Sequence, residues 1–214
     1  MTLLVAAALV LAPLLNVAAP APRSTPAILR AGVIHPRDVP AGWTASLQDQ
    51  TALPFAGVAP CAAINAADAT ARRRAARAAS PRFTDPQSAG TTAADNTVDA
   101  FRSAPAAARD LAAYQAPDAA ACLQAVLTQA GGPGATVTVT PLASQLHGLG
   151  DANAGYEGTI AGRGQQGQPI ALVADLVAVR VGRAVVVFEF LNANRPIPEG
   201  PGIVDTVVGR LTGR

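Results

Sequence analysis

Hydrophobic positions in this chain recur with two periods, and the densest run with period two is Gln168–Leu191. It reads as a β-hairpin of Val, Ala, Leu and Phe on either side of Gly182. Glycine at the first central position of a two-residue loop suits a type II′ turn, whose twist matches right-handed strands. With Gly182-Arg183 as the loop, Val177 faces Phe188 and Val179 faces Val186 on one side. On the other side Ala178 meets Val187 and Leu176 meets Glu189. Both sides are largely apolar, so the hairpin is expected mid-sheet or covered on both sides.

Weaker period-two patterns surround it. Trp43, Ala45 and Leu47 alternate with Thr44, Ser46 and Gln48. Val137 and Val139 alternate with Thr136, Thr138 and Thr140. A further strand holds Tyr156 and Ile160, and Arg82–Arg102 reads as two strands joined near Ala89-Gly90. Helical signals lie between them. Thr25 is placed as an N-cap with Pro26 at the first helical position and Gly32 past the end. Pro60 and Cys61 open a short Ala-rich helix. Ala66–Ala79 carries Arg72, Arg73, Arg74 and Arg77, read as a solvated helix face. Ser103 N-caps a helix to about Tyr114, and Asp118 caps a second over Ala119–Ala130, stopped by Gly131–Gly134. After a Pro-rich connection, Asn192–Gly202, an amphipathic helix over Ile203–Leu211 closes the chain. Short connections between consecutive strands predict an α+β fold: a curved antiparallel sheet, a meander, with helices packed against it.

Composition narrows the class. At 214 residues one domain is expected. Half the residues are hydrophobic but only 4% are aromatic, so the core is expected to be packed with small side chains. All 16 basic residues are arginine and the net charge is +2, too little to imply a nucleic-acid partner. Leu3–Leu15 is an apolar run too short to span a bilayer, followed by the small residues Val17-Ala18-Ala19. Residues 1–22 are therefore read as a signal peptide, residues 23–27 as a linker and residues 28–214 as an extracellular domain. Any membrane attachment is expected only through an uncleaved N-terminus. An even cysteine count in an exported chain favours a Cys61–Cys122 disulfide.

Several stretches come in a familiar order: Val39-Pro40-Ala41-Gly42-Trp43, Cys61, Phe101-Arg102-Ser103-Ala104, Cys122, Gly148-Leu149-Gly150-Asp151 and Arg180-Val181-Gly182-Arg183. Together they resemble the PknH-like extracellular sensor domains of actinobacteria, over roughly Ile28 to Arg214. The resemblance implies a curved antiparallel sheet with helices and a cleft for an unidentified ligand. This chain carries two cysteines where the kinase sensor domain has four, and it carries no kinase domain.

Candidate chemistry is sparse. Trp43, Tyr156, Phe188 and Phe190 are the aromatic candidates for lining a ligand cleft. His35 and His147 are the only histidines. Ser144 lies three residues from His147, but no nucleophile-elbow or HExxH spacing accompanies either. Neither a catalytic residue nor a metal ligand is assigned, and no cofactor is expected. Asp175 and Glu189 project to opposite sides of the hairpin in this register, so they cannot share a substrate. Arg180 lies on the side of Glu189 and is expected to pair with it diagonally. The expectation is a secreted, non-catalytic, sensor-like domain that binds a small molecule, lipid or glycan of the cell envelope. The competing expectations are an envelope hydrolase using His147 or His35 and a purely structural envelope protein.

Overall fold

The computed structural model describes residues 23–47, 55, 57–69, 74–142, 146–163 and 168–214; the expected signal peptide, Arg72, Arg73 and Ser144 lie outside these residues. In chain order the elements are α1 (Thr25–Gly32), β1 (Thr44–Ser46), α2 (Ala62–Ala69), β2 (Arg74–Ala79), β3 (Arg82–Thr84), β4 (Ala93–Phe101), α3 (Ala104–Tyr114), α4 (Ala119–Gly131), β5 (Thr136–Pro141), β6 (Ala152–Arg163), β7 (Pro169–Val181), β8 (Ala184–Ala193) and α5 (Gly200–Thr212). Among the described residues all strand pairs are antiparallel. The fold is α+β, as the pattern predicts.

β5 to β8 form the expected meander, and β8 then pairs with β4, giving the order β1-β3-β4-β8-β7-β6-β5. The hairpin register is the predicted one, with Val177 opposite Phe188, Ala178 opposite Val187 and Leu176 opposite Glu189. Gly182 holds φ +57°, which the turn requires. The hairpin lies mid-sheet between β4 and β6, and its two faces have separate cores. On one, Val177, Val179, Val186 and Phe188 pack with Ile203, Val207 and Leu211 of α5 and Ile28 of α1. On the other, Leu176, Ala178, Val185 and Val187 pack with Leu111 of α3, Leu123 of α4 and Ile64 of α2. These are called the α5 side and the α4 side below. Each fully buried Val, Leu or Phe here contributes about 1.5–3 kcal/mol of transfer free energy.

The disulfide joins Cys61 to Cys122, both wholly buried on the α4 side. It fastens the turn before α2 to α4, which are 61 residues apart in sequence.

Four expectations need correction. The folded chain starts before Ile28: Ser24, not Thr25, caps α1, its hydroxyl accepting from the Ala27 N–H, so residues 25–27 are helix and not linker. Gly32 is the last residue of that helix. A Cβ there would lie 2.6 Å from Val98 Cγ2, so glycine permits close approach to β4 and is not a left-handed stop. The Ala-rich helix ends at Ala69, and Arg74–Ala79 is a strand on the edge of β4. There Arg77 sits directly across from Asp99 and binds it with two bonds, 2.7 and 2.8 Å, which overrides alanine's helix preference. Finally, Arg180 does not reach Glu189. It pairs with Asp151 at 3.1 Å, and the Asp151 carboxylate also accepts the Gly182 N–H at 2.6 Å. Two of the motifs behind the resemblance therefore meet, and their shared task is holding the hairpin turn.

Candidate functional site

The sheet leaves a cavity on each side. On the α4 side, α4 lies across β5 and β6 and presents Leu123, Val126 and Leu127 toward Val139, Tyr156 and Leu176. The space between them has a volume of about 310 Å³ and is walled mainly by these apolar side chains. That is the lower end of the size usual for small-molecule sites. The Tyr156 hydroxyl donates to the Tyr114 carbonyl at 2.8 Å, so the ring forms a fixed wall.

One end of this cleft is polar. Glu189, Arg82 and Leu191 line it. Cross-strand pairing sets Asp95 of β4 directly opposite Glu189 of β8, and Arg82 reaches over to donate to Asp95 at 3.0 Å. Two carboxylates thus share one guanidinium. Glu189 is open to water at the cleft, yet protein surrounds it on most sides. The resulting desolvation, then the facing Asp95 charge, push its carboxyl above the ordinary range, against the pull of Arg82. Further along the same face lies the Arg77–Asp99 pair, with Arg74 at 3.6 Å from Asp99. Burial, and then the charges of Asp110 and Asp99, drive the Tyr114 hydroxyl upward, so it keeps its proton and can donate.

On the α5 side a second cavity of about 270 Å³ lies between the sheet, α5 and the segment leading into it. Leu146, Val177, Phe190, Ile197 and Val204 form its apolar walls. Glu157 and Asp175, directly paired across β6 and β7, sit in it together, with His147 and Asp205 at the exposed rim.

Of the aromatic residues singled out from the sequence, two meet: Tyr156 and Phe190 both line the α4-side cleft, and Phe190 also borders the α5-side cavity. Phe188 is 0% exposed and stacks on Phe190 with ring centroids 6.2 Å apart, so it is a core residue and presents no surface to a ligand. Trp43 packs half-buried on the α5-side core and lines neither cleft. Asp175 and Glu189 do lie on opposite faces as expected. The residues missed were their actual neighbours, Glu157 and Asp95. A signal existed for Glu157: with Tyr156 facing one core, the next residue of a strand must face the other.

His35 lies in a structural cluster. Its N–H donates to Asp38 at 2.8 Å, and its Nδ1 is 3.7 Å from that carboxylate. Arg210 occupies the other Asp38 oxygen at 2.7 Å. Among the described residues no group of three or more His, Cys, Asp or Glu side chains is arranged to hold a metal ion, and no helix is long and apolar enough to cross a membrane.

No family model matches the chain, and no curated protein matches it. Among solved structures, it is similar to the extracellular domain of PknH from Mycobacterium tuberculosis, at 12% identity and a TM-score of 0.47, over 73% of this chain and 76% of that one. Likeness at that level establishes no shared function, and the two clefts have to be understood from their own chemistry.

Proposed function

We propose that this chain is an exported, non-catalytic, sensor-like domain that binds an amphiphilic molecule of the cell envelope in the α4-side cleft. The supporting observation is the cleft's polarity gradient: an apolar slot under α4 running into Glu189 and Arg82, with Asp95 buried behind them. An apolar chain or ring fits the slot, and hydroxyl or amide groups of a lipid or glycan head find both acceptors and a donor at its end. The disulfide favours an oxidising compartment, and the ordered motifs of the sequence favour a sensor-like setting.

The test is native mass spectrometry of protein purified from its own host, compared with Ala174→Leu and Ala174→Phe, which fill the cleft floor stepwise. A retained lipid or glycan adduct that diminishes through this series while thermal unfolding stays close to wild type supports the reading. An adduct unchanged by both fillings refutes this location. Turnover of envelope material that disappears on His147→Ala would replace the reading with a hydrolase.

A further inference from the structure

We infer that the α5-side cavity is a second binding site, on the other face of the sheet, and that it takes an organic cation: an ammonium or amidinium group carried on a short apolar body. The inference starts from four other acidic groups of the chain, each of which has an arginine. Asp38 has Arg210, Asp95 has Arg82, Asp99 has Arg77 and Asp151 has Arg180. Asp175 faces another carboxylate instead. It is the direct cross-strand partner of Glu157, an arrangement that puts two like charges on neighbouring positions of one face and is destabilising by itself.

No arginine lines the cavity. The ionisable groups that line it with Asp175 are Glu157 from β6, His147 from the loop before β6 and Asp205 from α5; Asp175 also borders the α4-side cleft, where Arg82 and Glu189 lie. Asp175 Oδ1 has no accessible surface and no hydrogen-bond donor. A buried carboxylate oxygen without a donor is costly, and natural structures rarely leave one. Desolvation first, and the Glu157 charge second, raise the Asp175 carboxyl to about 6, so at neutral pH Asp175 is still mostly ionised and has no arginine paired with it.

The rest of the cavity selects the kind of cation. Its remaining walls are Leu146, Val177, Phe190, Ile197 and Val204, which offer nothing to the water shell of a small metal ion. They do suit the apolar carbon of an organic amine, whose charged N–H groups would meet the accessible oxygens of Asp175 and Glu157 and offset the two facing carboxylates. The α4-side cleft differs in this respect, because Arg82 already neutralises its acidic end.

The probes are n-hexylammonium, n-hexylguanidinium and, as an isosteric anion control, hexanoate. Binding is followed by calorimetry and by methyl NMR of the whole protein. The expected result is saturable binding of both cations, with a dissociation constant of about 1 mM or tighter for so small a ligand, and none of hexanoate. The methyl groups of Leu146, Val177, Ile197 and Val204 should shift, and those of Leu123 and Leu127 on the opposite face should not. Asp175→Asn should weaken the cations about 10- to 100-fold, the loss typical of one charge-assisted hydrogen bond. Glu157→Gln should weaken them as well, since it removes the second of the two facing carboxylates. Wild-type affinity should fall between pH 7 and pH 5 as Asp175 takes a proton, and the Asp175→Asn variant should have the flatter profile. Both variants remove like-charge repulsion, so neither is expected to unfold. Equal binding of hexylammonium and hexanoate, shifts confined to the α4 side, no saturable cation binding, or undiminished affinity in Asp175→Asn would each overturn the inference.

Discussion

Arg210 of α5 is the most informative residue to remove. Its Nε donates to the Ala31 carbonyl at 3.2 Å, its Nη2 to the Val33 carbonyl at 2.8 Å and its Nη1 to Asp38 at 2.7 Å. One guanidinium thereby satisfies the C-terminal carbonyls of α1 and compensates a carboxylate that is only 2% exposed. Arg210→Met keeps the apolar stem and deletes the charge. Breaking a buried ion pair from one side typically costs about 3–5 kcal/mol, because the other charge stays buried. Against the ~5–15 kcal/mol of a whole domain this is a large loss, and it corresponds to a Tm lower by about 6–20 °C for a chain of this size. Urea unfolding, followed by the fluorescence of Trp43 on the adjoining core, measures it. The decisive comparison combines Asp38→Asn with Arg210→Met. The amide oxygen that Asp38→Asn introduces still accepts the His35 N–H, but leaves no charge stranded, so the double variant should recover about 1–3 kcal/mol of the single variant's loss. Burial alone would raise the Asp38 carboxyl. The Arg210 hydrogen bond, the His35 N–H and the neighbouring positive charges outweigh it and bring it below its ordinary value. A folded-state pKa below the unfolded one means stability present above the ordinary carboxylate range and lost as pH falls through the folded value. That acid limb should be shallower once Arg210 is gone. A cost within about 1 kcal/mol of zero for Arg210→Met, the level of a surface pair, or strictly additive costs in the double variant, would refute this account.

Three other outcomes are expected. Cys61→Ser, Cys122→Ser and the double variant should be destabilised about equally, by roughly 4 kcal/mol for the loop the bond closes, as chemical denaturation would show; additive costs would mean the sulfurs act separately. Gly32→Ala should cost about 1–3 kcal/mol through the clash with Val98, and Val98→Ala in the same chain should return part of it, read as Tm shifts in calorimetry. Asp175→Asn should be more stable than wild type at pH 7 and match it near pH 4 in urea titrations. A raised folded-state pKa gives stability that is present below the unfolded value and lost as pH rises through about 6.

The hairpin was legible because it states its register twice, through Gly182 at the turn and through two apolar faces that only a mid-sheet position can cover. The helices over residues 104–114 and 119–131 were legible from Ser103, Pro105 and the glycines after Ala130. β2 was not. Arg74–Ala79 contains only Arg and Ala, without one β-branched residue, and what makes it a strand is Asp99 on β4, 22 residues away. The clefts were hidden for the same reason. Tyr156 could be named as an aromatic candidate, but that Glu157 faces Asp175 depends on the pairing of β6 with β7, and that Asp95 faces Glu189 depends on β4 meeting β8. Neither contact leaves a local trace. Phe188 was misjudged because an aromatic residue in a strand reads alike whether its neighbour is a ligand or Phe190.

The pairing of β4 with β8 also sets an order of events. β1 to β4 are synthesised early, yet β4 has one long edge that only β8, some ninety residues later, can fill. α1 likewise waits for α5, which carries Arg210. A partly made chain can close the local meander of β5 to β7, but its first hundred residues have no finished sheet to join. Folding of the two halves is thus gated by the last thirty residues, and a chain cut short before Ala184 should be recognised and degraded as unfolded material along its whole length, not only at its missing end.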